Sequence, residues 1–383
     1  MKMFKHKSIA RKRVLRMIGI ILGTVIGALL LFCFVVLLIV WSWSPSKIEP
    51  YYDDSGKALP GSISEIIHME IGNVEQGMII KGKDVNNPVL LFLHGGPGNP
   101  QYVIFSDIGL EDYFTVCWWD QHGSGMSYSS KRDCESVTLE QMVSDTVEVT
   151  NYLRQRFGKE KIYLMGQSFG SFLGINTVDR HPELYEAYIG INQVTNQLES
   201  EKLGYESMMY IAQASGDKES IQKLDKYQLD GADTITNDYL ALRSSIMLKQ
   251  GTGTFHNNST TVFQYAIMPL LKAREYTLSD KYGFIAGSLF MLNSPVNKAQ
   301  FTTNVMETIP KIDIPVYILH GVYDRQASYE LSQRYIEILK APKKEFYAFE
   351  SSAHGAHMEE PERVIEIIRE DILGIGKEGN ISD

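Results

Sequence analysis

With 383 residues, 44% of them hydrophobic and 22% charged, the chain has enough apolar material for a sizeable core. It carries none of the bias that marks disordered, collagenous or disulfide-stapled proteins. The formal net charge is −9, but residues 1–43 carry seven Lys or Arg and no acid, which leaves residues 44–383 at −16 and argues against a nucleic-acid partner.

In chain order, the basic segment 1–16, "MKMFKHKSIARKRVLR", reads as a cytoplasmic tail, and Met17 to Trp43 contains no charged residue. That run exceeds the roughly 20 apolar residues that span a bilayer, and the basic flank predicts a cytoplasmic N-terminus with the remainder outside. A cleavable signal peptide is the rival. Its apolar core would be about 7–15 residues long, so an uncleaved anchor in the lipid bilayer through residues 17–43 is expected, with Trp41 and Trp43 at the outer interface. Residues 44–61, rich in Pro, Ser and Asp, read as a linker.

Short apolar runs follow near 63–71, 77–81, 88–96 and 113–119, each bounded by Gly, Pro or Asn and each expected as a strand. Cys117, in the last of them, reads as a buried thiol. Residues 138–157 repeat apolar positions at helical spacing behind Thr138, a candidate cap. "KIYLMGQ" reads as a strand, "SFGSFLGINTVDRH" as a helix and "AYIGINQV" as a strand. From 195 to 310 the pattern is helical. Alternation resumes with "IPVYILHG", "SYELSQRYIEILK", "KEFYAFE" and "PERVIEIIREDIL". Alternating strands and helices predict an α/β fold, a mostly parallel sheet with helices on both faces. Its core would come in two parts, 62–194 and 311–383, with 195–310 inserted as a helical cap.

Four motifs fall at strand ends. "GQSFG", Gly166 to Gly170, sits between a strand and a helix, where G-x-S-x-G lifts a serine hydroxyl above the sheet; Ser168 is the candidate nucleophile. "HGGPG", His94 to Gly98, follows the strand "VLLFL"; a glycine-rich turn there can aim backbone N–H groups at a developing oxyanion. The candidate donors are Gly96, with Gly95 as the alternative, and Phe169 after the nucleophile. In "HGVYDRQAS", Asp324 is the candidate acid that orients a histidine, while His320 reads as buried and satisfied. The stretch "SSAHGAHMEEPE", Ser351 to Glu362, offers two bases. His354 lies in a loop of small residues directly after a strand; His357 lies at the start of the last helix. Loop position favours His354.

Together HGGPG, "WWDQHGSGMS", GQSFG, HGVYD and "AHGAHMEEPE" make the chain, from about residue 62 onward, resemble the α/β-hydrolase fold, and within it the proline iminopeptidases. In that family the catalytic histidine is followed five residues later by Glu and seven later by Pro. His354, Glu359 and Pro361 fit; His357 does not. Two departures stand out: His122 where the family usually has Arg, and Phe169 where Trp is common. The resemblance implies a serine aminopeptidase acting on a small-molecule or short-peptide substrate, with no cofactor. Family members bind the substrate amine through acids near the cap, for which Glu199, Glu201 and Glu206 are the candidates by position alone. An esterase with the same triad, and a non-catalytic protein on the same fold, are the alternatives.

Overall fold

The computed structural model describes residues 2–105, 108–227, 229, 235–257 and 261–376. Helices of seven residues or more are numbered here. The first, α1 (Lys2–Ser42), is one continuous helix. It runs through the basic segment without a break, because nothing there is a helix breaker. Its stretch Leu15–Ser42 is long and apolar enough to cross a membrane. From Leu15 to Ile39 its side chains are exposed, and Val40 is the first buried one after them.

The segment that follows is pinned. Lys47 N–H donates to Arg274 O (2.9 Å), Leu59 N–H to Tyr51 O (2.7 Å) and Val85 N–H to Gly61 O (2.8 Å), and Tyr52 bridges Ala58.

Strands β1 (Ile63–Ile71) and β2 (Val74–Gly82) form a hairpin. Its two-residue turn places Gly72 and Asn73 at φ 57° and 62°, the mirror-image turn that matches strand twist. Then come β3 (Val89–Leu93), β4 (Thr115–Trp119), α2 (Leu139–Phe157), β5 (Ile162–Gln167), α3 (Phe169–Arg180) and β6 (Tyr185–Ile191). Thr138 Oγ1 caps α2 by accepting from Gln141 N–H (3.1 Å), and Gly158 ends it at φ 61°. Helices α4 (Gln197–Ser215), α5 (Lys218–Leu224), α6 (Asn237–Gln250), α7 (Leu278–Leu292) and α8 (Pro295–Thr302) intervene before β7 (Val316–Gly321). The chain closes with α9 (Tyr329–Ile338), β8 (Lys344–Phe349) and α10 (Pro361–Ile367).

The eight strands form one sheet in the order β1-β2-β4-β3-β5-β6-β7-β8. The β1–β2 and β2–β4 pairs are antiparallel and all others parallel. Side chains alternate between two cores, as period two requires. From β3, Val89, Leu91 and Leu93 enter one core with Leu153 and Phe172, while Leu90 and Phe92 enter the other with Val364 and Ile368. From β7, Val316 and Ile318 go one way and Tyr317 and Leu319 the other. The winding reverses at β3, which lies between β4 and β5; in such sheets ligands bind beyond the carboxyl ends of strands at the reversal.

Candidate active site

The carboxyl ends of β3, β5, β6, β7 and β8 deliver the candidate residues to one edge of the sheet. Ser168 follows β5 directly and opens α3 with φ 53° and ψ −121°, a conformation that a serine holds only when its surroundings impose it. The flanking glycines show why the turn must be tight. A Cβ on Gly166 would sit 2.2 Å from Gly170 O, and one on Gly170 would sit 2.0 Å from Leu93 O. Strand, helix and β3 therefore cross at distances that only glycine permits.

Asp324, in the loop after β7, is fully buried. Its Oδ2 accepts from His354 Nδ1 (2.8 Å), Asn192 Nδ2 (2.7 Å) and His320 Nε2 (3.1 Å), and its Oδ1 from Gln326 N–H (2.8 Å) and Ala327 N–H (3.1 Å). Burial alone would raise this carboxyl, but the His354 charge and the hydrogen bonds from His320 and His354 outweigh it and hold Asp324 far below the usual range. With Nδ1 turned to Asp324, the Nε2 edge of His354 is left for the cavity that it lines together with Ser168.

The loop that carries His354 is fixed from both sides. Its N–H donates to Gly253 O in the insert (3.0 Å). Glu359 accepts from Ala353 N–H (2.9 Å) and from His256 N–H (2.9 Å). The glutamate five residues beyond the histidine thus ties the histidine loop to the insert, and Pro361 opens α10 at the position where its missing N–H is not needed.

His357 is fully buried, against the Phe105 ring at 3.9 Å between centroids. Neither ring nitrogen has a partner among the described residues. Burial, with His354 nearby, pushes it down to about 3, so it stays neutral. His320 is buried with Nε2 shared between Asp324 and Ala327 O (2.9 Å), while its Nδ1 has no partner among the described residues. His122 is buried too, but faces Asp145 (3.1 Å) and does not line the cavity.

Gly96 stands in the turn after β3 at φ 118° and lines the cavity beside Ser168. Phe169 is the first residue of α3, so its N–H is one of the four a helix leaves unpaired. Its ring is buried, next to Phe172. His94 braces the turn: Nδ1 donates to Gly95 O (2.9 Å) and Nε2 accepts from Gln121 N–H (3.1 Å), while burial pushes the ring down to about 4.

The cavity above these residues has a volume of about 630 Å³. Of the three candidate acids only Glu201 lines it; Glu199 does not, and Glu206 is exposed. At 100° per residue, positions 199 and 206 of α4 fall within about 20° of each other and position 201 about 160° from 199, so a single helix cannot turn all three to one wall. Glu201 is fully buried. Its Oε1 accepts from Gln197 Nε2 (2.8 Å) and from Arg243 Nη1, while Oε2 has no partner among the described residues. Burial raises this carboxyl above its usual range even with Arg243 beside it.

Sequence reasoning missed Arg243 and Asn192. Asn192, buried at φ 51° just after β6, could have been flagged as a polar residue closing an apolar strand. Arg243 carried no signal, being 42 residues from its partner.

The sequence profile described as alpha/beta hydrolase fold matches residues 88–361. A protein of Bacillus subtilis named as the probable aminopeptidase YbaC is 36% identical over 305 residues, covering 78% of this chain and 93% of that one. A proline iminopeptidase of Saccharolobus solfataricus is 26% identical over 303 residues, 76% of this chain and 86% of that one. Among solved structures, a proline iminopeptidase-related protein from Thermus thermophilus superposes with a TM-score of 0.55 at 20% identity, over 82% of this chain and 98% of that one, a likeness of fold.

Proposed function

Because the chain belongs to the α/β-hydrolase family, and within it is a proline iminopeptidase-like hydrolase, we propose that it is a serine aminopeptidase. The observation that carries the reading is the Asp324–His354 hydrogen bond at 2.8 Å, on the wall of the cavity that also exposes Ser168. In this mechanism His354 Nε2 takes the proton as Ser168 Oγ attacks the substrate carbonyl carbon. The N–H groups of Gly96 and Phe169 hold the oxyanion, and His354 returns the proton to the leaving amine as the C–N bond breaks. Water, deprotonated by the same imidazole, then cleaves the acyl-enzyme. Asp324, kept ionised, stabilises the imidazolium in both halves.

The residues between β6 and β7 act as the cap, and Glu201 Oε2 is the group we assign to the substrate's free N-terminal amine. An ammonium there would satisfy an acceptor that is buried and has no partner among the described residues. Proline is the expected first residue. A second reading, an acyl-ester hydrolase, is favoured by one observation: Arg243 already occupies the other oxygen of Glu201. A prolyl anilide, its N-acetyl form and a butyryl ester, assayed on one preparation after labelling of Ser168 by a fluorophosphonate has been verified, separate the two. The aminopeptidase reading expects acetylation to lower kcat/KM by about a hundredfold or more, because it removes the charge that Glu201 would meet. Equal rates on the free and acetylated anilide, with a fast ester, would establish the other.

We further read Leu15–Ser42 as an uncleaved anchor with its basic flank in the cytoplasm and the catalytic domain outside. Its length and the seven positive charges within residues 2–16 support this.

A further inference from the structure

Helix α7 carries an exposed apolar stripe on the side away from the sheet. Leu278, Tyr282, Ile285 and Leu289 recur at spacings of four, three and four, which places them within about 60° of one another around the helix. They are 38–63% exposed. The opposite side of the same helix is packed: a Cβ on Gly283 would lie 2.3 Å from Gly125 O, and one on Gly287 would lie 2.5 Å from Gly123 O. The helix is thus pressed onto the loop after β4 by its glycines, and the stripe is not its core face. Val262, Phe263 and Ile267, in the turns before Met268–Lys272, add further exposed apolar side chains. No acid lies on α7 beyond Asp280, which is spent capping the helix through Thr277.

The chain's own apolar helix ends at this face. Lys281 of α7 donates from Nζ to Trp43 O (3.2 Å) and Leu271 O (2.8 Å). Lys47 N–H donates to Arg274 O, and Arg274 approaches Glu49 at 3.6 Å. The point where α1 ends is therefore held by the first turn of the helix that bears the stripe. Val262 and Ile267 also line the cavity, as does Phe284 of α7, so the cavity's rim borders the apolar face.

We infer that this face lies on the bilayer in which α1 is embedded, with the rim of the cavity at the lipid surface, so that the enzyme draws amphiphilic substrates from the membrane. The inference rests on the reading of α1 as an anchor. An exposed stripe of this kind is the mark of a helix lying in an interface, and the clamp at Trp43 supplies the membrane next to it. A second copy of the chain is the competing occupant.

The test uses the full chain in phosphatidylcholine–phosphatidylglycerol vesicles, with a genetically encoded fluorescent amino acid at Leu30, Leu289 or Ile338 and doxyl-labelled lipid as quencher. Quenching at 30 and 289 but not at 338 is expected. Quenching at 30 alone overturns the docking and leaves the anchor standing, and a probe at 289 then shielded by self-association would identify the second copy. No quenching at 30 removes the anchor, and the inference with it. The double variant I285D/L289D supplies the functional arm. Its rate on whichever water-soluble substrate, prolyl anilide or ester, the wild-type enzyme hydrolyses should stay within about twofold, while its rate on the same reacting group carried on a long alkyl chain in vesicles falls about tenfold or more, since two apolar contacts with lipid are lost. Equal losses on both substrates, or none on the vesicle-borne one, would overturn delivery from the membrane.

Discussion

His354 and His357 stand three residues apart, and burial divides their chemistry. His354 has one nitrogen on Asp324 and lines the cavity; His357 is buried with no hydrogen-bond partner for either nitrogen among the described residues. His354→Ala should lower kcat by about 10⁴-fold or more, since base and acid are lost together. His357→Leu should keep most of the activity and raise stability by about 1 kcal/mol, because it removes a buried ring that makes no hydrogen bond. Activity and urea midpoints of the two variants check this; the reverse order of activity would move the base to His357. Asp324 is held ionised far below the working range and burial keeps His357 neutral, so neither removes activity as acid is added. Two groups are left: the base His354, and Glu201, whose carboxyl burial raises and whose charge an amine substrate needs. The acid limb of kcat/KM should therefore be second order on a free-amine substrate and first order on one without the amine; first order on both would remove Glu201 from amine binding.

The loop after β4 joins sheet to insert, and its Asp120 is an acid under strain. It is buried, accepting from Tyr276 O–H (3.0 Å) and Met126 N–H (2.9 Å). Burial pushes it up to about 7, the two hydrogen bonds only partly opposing. Unfolded, it would ionise near 3.9. Between these values folding takes up a proton, so this group's contribution to stability falls as pH rises from about 4 to 7, by at most about 1.4 kcal/mol per unit. Asp120→Asn should flatten that part of the stability–pH curve, measured as urea midpoints at several pH values; an unchanged slope would refute the assignment.

Element by element, the alternation of strands and helices was legible because period-two and period-3.6 patterns are local. The strand order was not, since nothing in the spacing says that β3 inserts between β4 and β5. The same limit applies to the site. Motifs at strand ends pointed to Ser168, Gly96, Asp324 and His354 because each lies within a few residues of its strand. The Glu201–Arg243 pair depends on how α4 packs against α6, which no local pattern encodes, and so the sequence does not separate Glu201 from Glu199 and Glu206.

At the scale of the whole molecule, the anchor reading predicts that protease added to intact cells, or to spheroplasts where an outer membrane is present, releases the catalytic domain; protection until lysis would reverse the orientation, and a mature N-terminus near Ser44 would make α1 a signal sequence. The pinned segment 44–61 then has a consequence for encounter. Left free, a chain of that length would let the domain roam over about 24 Å, and a longer one farther still, sampling a shell of solvent above the surface. Held by Arg274 near one end and Val85 at the other, and folded on itself between Tyr51 and Leu59, it gives the domain no such reach. If α1 is the anchor proposed above, the enzyme's search becomes two-dimensional: it travels with its helix and keeps one posture. On the anchor reading, its throughput on membrane-borne molecules follows their density per unit area rather than their concentration in the surrounding fluid.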